Sequence, residues 1–309
     1  VSPRCIEIFW GFIVLSLLNV PLQRCSAAEF AMLVKKWAHL KHRRFGFPKV
    51  GLGDVYADEA ERYIKQHGGI VRRKMVVNRI IYKKGVIDHV VAETNGSRAQ
   101  IRGDIYVSAI NPVLLKGLIA DADFDNRTHF DFFDTLRIFE GVPYISVNIW
   151  FDKKISSKRF WAMLGRQASG VPYLNTDFYD FSNIYESHKH ASYIASNIIY
   201  SNEHEHLSDH EIIDRTADEI RETFPHMDAA VVHSHVHRIP YVIYAPVPGT
   251  RAHRYTSATP ISNLYLAGDW LVREVPQCME AAVRSGYKCA EAIFSQYGIS
   301  KQICDDRVF

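Results

Sequence analysis

Asn263-Leu264-Tyr265-Leu266-Ala267-Gly268-Asp269-Trp270, followed by Pro276-Gln277-Cys278-Met279-Glu280-Ala281-Ala282-Val283-Arg284-Ser285-Gly286, is the stretch that decides how this chain folds. A short apolar strand, Asn263 to Ala267, ends on the small residue Gly268. An acid follows at once, and a helix starts a few residues later with small residues along one face. Strand, glycine turn and helix in that order bring backbone and a helix N-terminus against a flat, polyanionic cofactor. The same pattern also describes a plain strand-turn-helix of any α/β domain. Asp269, at the end of a buried strand, needs a partner to offset its desolvation.

Working back from that stretch, helical and strand periodicities interleave along the chain. Ile6 to Leu18 is strongly apolar, and Ala28, Met32, Leu33 and Trp37 recur at helical spacing beyond Pro21. The first run reads as a buried or membrane-contacting helix, or as a signal-peptide core with Arg4 before it and Cys25-Ser26-Ala27-Ala28 after it. The chain opens on Val1 rather than Met, which reads as a fragment or a processed product. Asp54 to His67 predicts a helix ended by Gly68-Gly69. Residues 68 to 109 then read as a β-meander: Ile70 to Tyr82, a turn at Lys83-Lys84-Gly85, a return to Val91, a hairpin signal at Asn95-Gly96, and a strand from Ile101 to Ala109. Pro112 opens a helix through Ile119. Strands are expected over Gly141 to Phe151, Phe160 to Asp180, Tyr193 to Tyr200 and Val231 to Ile239. Ser208 to Phe224 is an amphipathic helix whose Ser208 and Glu211 make a capping box, and Pro276 to Tyr297 is the last helix.

Composition excludes several classes. A chain of 309 residues with a net charge of +3 has neither the charge nor the basic block of a nucleic-acid binder; Lys41-His42-Arg43-Arg44 is too short. Five scattered cysteines, Cys5, Cys25, Cys278, Cys289 and Cys304, offer no C-x-x-C pair and no even-numbered framework, so a reducing compartment is expected. Cys278 and Cys289 read as small apolar residues packed on the last helix. His204, His206, His210, His233, His235 and His237 read as solvated loop and strand-surface residues, and no metal site is expected. No G-x-S-x-G elbow is present. The aromatic-rich span Phe124 to Tyr200 is either core or an apolar tunnel.

Four stretches, in order, make the chain resemble the carotenoid (phytoene) desaturases and the squalene-associated FAD-dependent desaturases of the flavin amine-oxidase superfamily. They are Gly68-Gly69-Ile70-Val71 with Val77 and Ile80; Gly103 to Ala109 with Pro112 and Leu115; Val142-Pro143-Tyr144-Ile145-Ser146-Val147-Asn148-Ile149-Trp150-Phe151-Asp152-Lys153-Lys154; and Leu266-Ala267-Gly268-Asp269 with Cys278 to Gly286. The resemblance runs to about residue 297. It implies a mixed α/β, two-domain FAD-binding fold of amine-oxidase type, with residues 68–118 and 255–297 in a discontinuous FAD-binding domain. Residues 1–67 and 119–254 then form a substrate domain, and 298–309 a tail. It further implies FAD as cofactor and Val77, Ala109, Gly268, Asp269, Met279, Glu280 and Ala282 as cofactor contacts, with Glu280 bonding the ribityl chain or backbone. No catalytic side chain is named.

The implied activity is desaturation of a long apolar isoprenoid by hydride loss to the flavin. A lipid-soluble acceptor such as a quinone, peripheral membrane contact through 6–18, and a cytoplasmic or plastid-side location go with it. Another flavoenzyme of the same fold, acting on hydroxysqualene, amines or protoporphyrinogen, is the alternative, and a truncated non-catalytic chain the third reading. Trp270 would be one wall of an amine oxidase's aromatic cage. Two departures stand out: Ala281 replaces a usual glycine, and no G-x-G-x-x-G follows a strand, Gly51-Leu52-Gly53 reading as a loop. The chain therefore reads as the carboxy-terminal part of a longer enzyme, without the main pyrophosphate cradle.

Overall fold

The computed structural model describes residues 1–39, 46–120, 122, 124, 127–167, 169–186 and 190–305. The basic run at 41–44 lies outside them. In chain order, α1 (Pro3–Cys5) and α2 (Phe12–Leu18) flank a π-helical turn at Ile6–Gly11, and α3 spans Ala27–His39. A second π-helical turn, Gly53–Ala57, leads into α4 (Asp58–Gln66). Strands β1 (Val76–Lys83), β2 (Val86–Thr94), β3 (Ser97–Ile101) and β4 (Tyr106–Ser108) precede α5 (Pro112–Ala120) and α6 (Arg127–Asp134). Then come β5 (Gly141–Phe151), β6 (Phe160–Ala162), β7 (Asp177–Asp180), α7 (Phe181–Ile184), β8 (Tyr193–Ile199), α8 (Asp209–Thr223), β9 (Val231–Tyr244), β10 (Leu264–Leu266) and α9 (Met279–Gln296).

The chain divides into two compact units. The first comprises Val1–Leu22, Lys41–Val71 and Val142–Pro240. Its sheet has the order β6-β7-β8-β5-β9. The period-2 pattern of β5 puts Ile145, Val147, Ile149 and Phe151 on one face, where α8 buries Ile212, Ala217 and Ile220 against them. The expected capping box is present: Ser208 accepts from the Glu211 amide while the Glu211 carboxylate accepts from the Ser208 amide. The span Phe160 to Asp180 is strand only at its two ends. Its middle is held instead by the buried Glu219 of α8, which accepts from the amide of Asn175 at 3.2 Å and from its side chain at 2.8 Å. Burial pushes the Glu219 carboxyl up, against the pull of those donors.

The second unit comprises Gln23–Leu40, Arg72–Gly141 and Tyr241–Phe309. Its meander β1-β2-β3 closes through two two-residue turns, Lys84-Gly85 and Asn95-Gly96, with all four residues at positive φ. That is the handedness that matches strand twist. Ile70 and Val71 fall before the meander rather than in it, and Ile70 is exposed. The strand expected over 101–109 is two strands. β3 pairs antiparallel with β2, whereas β4 pairs parallel with β10, so the chain must change sheets between them. The change is pinned by Arg102 on Asp88 at 2.6 Å and by the Tyr106 hydroxyl, which accepts from the Gly103 amide and donates to the Asp88 carbonyl.

The unit boundaries differ from those read in the sequence. Residues 23–40, 119–141 and 241–254 group with the second unit, and 68–71 with the first. The reason is visible in α3, whose Glu29 pairs with Arg254 at 3.0 Å and whose neighbour Ser26 donates to the Pro246 carbonyl. Residues 303–304 fold back onto α9, where the Cys304 amide donates to Glu291 at 2.6 Å and Cys304 is buried.

Candidate functional site

Everything the opening stretch singled out lies in the second unit. Parallel strands β4 and β10 run side by side, with Leu264 opposite Tyr106 and Leu266 opposite Ser108, and the Ala267 amide continues the ladder to the Ser108 carbonyl. Ser108-Ala109 and Ala267-Gly268 are therefore adjacent carboxyl ends of parallel strands, the edge where open α/β sheets bind ligands. Beneath them, Leu115 and Ile119 of α5 pack with Leu264, Leu266 and Trp270 in one core.

Gly268 makes the turn possible. Its φ of 139° and ψ of 156° belong to a region used essentially by glycine alone. A Cβ there would sit 2.6 Å from the indole of the fully buried Trp270. The Gly268 amide donates to Ser285 Oγ at 2.7 Å, and that hydroxyl donates on to the Ala282 carbonyl at 2.6 Å. One side chain thus ties the strand end to the second turn of α9. Asp269 is half-buried, and burial raises its carboxyl above the usual range. The Trp270 amide, the charge of Arg254 and its own amide oppose that rise.

Helix α9 starts at Met279, three residues after the expected Pro276, with Cys278 as an exposed N-cap that lends no side-chain bond. Cys278 is thus not packed, because the cap residue lies outside the helix's apolar stripe; Cys289 is buried as expected. Met279, Ala282, Val283, Gly286 and Tyr287 follow 3–4 spacing and form one open face. Met279, Val283 and Tyr287 are about half exposed, and nothing lies within 4 Å of the Gly286 Cβ position. Ala281 points the other way. It is fully buried against Val272 and Val275, so its methyl leaves the open face unchanged. Glu280 is held by Arg284 at 2.6 Å on the same helix.

Val77 and Ala109 meet in a cleft of about 680 Å³, lined also by Val76, Val107, Ile110 and Leu114. Two buried polar atoms at this strand edge, Ser108 Oγ and Trp270 Nε1, have no protein partner among the described residues. A glycine with no room for a side chain, a flat small-residue helix face and two unspent polar atoms suit a flat, polar cofactor. Of the seven residues named from sequence, the structure brings Val77 to Ala109, and Gly268 and Asp269 to the neighbouring strand end. Met279 and Ala282 stand on the open face that Ser285 anchors there. The Glu280 carboxylate is already paired, with Arg284. Sequence reasoning passed over Ser108, Ser285, Val283, Gly286 and Tyr287; the spacing of the last three with Met279 and Ala282 was the available signal.

Histidines are elsewhere. His233, His235 and His237 are exposed on β9, and His210 pairs with Asp214 at 2.8 Å. Among the described residues no group of three or more His, Cys, Asp or Glu converges.

Comparison with known proteins agrees with the fold. The family profile described as flavin containing amine oxidoreductase matches residues 6–294. The 15-cis-phytoene desaturase of Solanum lycopersicum is 30% identical over 244 residues, covering 76% of this chain and 40% of that protein. The 15-cis-phytoene desaturase of Synechococcus elongatus is 28% identical over 214 residues, covering 67% of this chain and 43% of that one. The chain thus spans about 40% of the length of the curated relatives it matches. Among solved structures, an oxidoreductase from Methanosarcina mazei shares the fold with a TM-score of 0.66 at 14% identity, covering 95% of this chain and 65% of that one.

Proposed function

The chain belongs to the flavin containing amine oxidoreductase family, and on that premise we propose that it serves FAD-dependent desaturation of a long apolar isoprenoid. The observation that carries the reading is the open α9 face of Ala282 and Gly286 beside the Ser108 and Gly268 strand ends. The desaturase relatives supply the reaction class.

Each contact follows from what the residue presents. Gly268 gives close backbone approach, and Trp270 Nε1 and Ser108 Oγ offer buried polar atoms. Ala282 and Gly286 accept a flat ring without steric cost. Val77 and Ala109 line the apolar cleft at the far end of the group. Asp269 accepts from a hydroxyl while the Trp270 amide and Arg254 favour its charged form. Glu280 keeps its charge paired and acts on backbone position through Arg284. Bound FAD supplies a two-electron hydride acceptor, the chemistry that oxidising an allylic carbon needs. The chain's own part is orientation and exclusion of water.

Substrate holding falls to the first unit. Trp150 stacks on Tyr193 with ring centroids 4.4 Å apart, and Phe181 continues the run at 5.4 Å from Tyr193. Such a band of rings suits a rigid polyene. Ile6, Phe9 and Leu17 are exposed along the amino-terminal helical stretch, which supports peripheral contact with a lipid surface; a cytoplasmic or plastid-side location is part of the same proposal. None of the helices among the described residues is long and apolar enough to cross a membrane. A quinone dissolved in that surface is the electron acceptor. The test is anaerobic mixing of FAD-loaded protein with phytoene in lipid vesicles. Bleaching of the oxidised flavin band by phytoene and not by a primary amine is expected. Bleaching by the amine alone moves the chain to the oxidase reading.

A further inference from the structure

Strand β9 is the edge of the first unit's sheet and carries His233, His235 and His237 at alternate positions, so all three side chains leave one face. All are exposed, yet they are not equivalent. The His233 ring lies against Trp150, with centroids 4.9 Å apart. His235 and His237 turn toward each other, Nε2 of the first 3.3 Å from Nδ1 of the second. Their ring centroids are 5.1 Å apart at 57°.

That spacing has a chemical meaning. Two imidazole nitrogens on one tetrahedral zinc ion, each at about 2.0–2.1 Å, lie about 3.3–3.4 Å from each other. As they stand, one facing nitrogen carries a proton and the other a lone pair. Moving that proton to the far nitrogen of its own ring presents two lone pairs at the tetrahedral edge length, with no proton lost from the pair. The nearest cationic side chain in sequence, Arg238, is engaged by Asp209 at 2.7 Å and the Leu207 carbonyl at 2.6 Å.

We propose that His235 and His237 form a two-histidine surface site for a tetrahedral divalent transition metal of the zinc class, with water in the remaining positions. With no third protein ligand converging among the described residues, the metal stays exchangeable and open to a further donor. This site does not depend on the flavin reading.

Calorimetric titration of the metal-free chain with Zn²⁺ tests it. One ion per chain with a dissociation constant below about 1 mM is expected. His235→Ala and His237→Ala each weaken binding at least tenfold, whereas His233→Ala stays within about twofold. Imidazole ¹⁵N shifts of His235 and His237 move on Zn²⁺ addition and those of His233 do not. All three side chains are exposed, so the variants keep the fold, and unchanged far-UV circular dichroism verifies it. Absence of saturable uptake below about 1 mM, or equal loss with His233→Ala, overturns the site.

Discussion

Gly268→Ala is expected to lower stability by about 4 kcal/mol, the sum of about 1–3 for a glycine-only backbone region and about 1–3 for overpacking. The added methyl meets Trp270 at 2.6 Å. That indole cannot yield: it is fully buried, with Phe139 at 5.7 Å and Tyr255 at 5.6 Å between ring centroids. Gly286→Ala is the contrast within the same site. Gly286 sits in a helix with nothing within 4 Å of its Cβ position, so alanine there is neutral or stabilising by up to about 1 kcal/mol. Urea unfolding of both variants decides the matter. A Gly268→Ala loss under about 1 kcal/mol contradicts the strained-turn argument.

Arg254→Met is expected to cost about 3–5 kcal/mol, the usual penalty for stripping one partner from a buried ion pair. Arg254 and Glu29 are each only 1% exposed at the side chain and 3.0 Å apart. The same guanidinium donates to the Val272 carbonyl at 2.6 Å, fixing the segment that follows Asp269. Without it Glu29 is left with the half-buried Arg251, at 3.4 Å, among the described residues. The pair-replacing double variant Glu29→Leu/Arg254→Met loses less than Arg254→Met alone, because no uncompensated charge stays buried. A double-mutant cycle with no coupling between the two positions removes the claim.

These two sites show what a sequence discloses. Gly268 was legible because a glycine between an apolar strand and an acid is a local pattern. The α8 capping box and the two hairpin turns were legible for the same reason, each being set by residues within four positions. Glu29 and Arg254 were not, since 225 positions separate them and neither belongs to a motif. The break between β3 and β4 was hidden for a related reason. Ile101 and the apolar run Ile105 to Val107 read as one strand across Arg102-Gly103-Asp104, and the different partners β2 and β10 show those three residues to be a break. Within the site, the helix face at 279–287 was written in the spacing, but which side of it stays open depends on Val272 and Val275 covering Ala281.

The claim at the centre is that FAD lies on the Ala282 and Gly286 face of α9. Titration of the purified chain with FAD, followed by flavin fluorescence, tests it when repeated with Ala282→Trp. Ala282 is exposed, so the indole leaves the melting temperature unchanged while covering the face. The prediction is saturable FAD uptake by the wild-type chain and at least a tenfold weaker dissociation constant in the variant, about 1.4 kcal/mol or more of lost binding. Equal binding by both proteins, or no uptake by the wild-type chain, contradicts it.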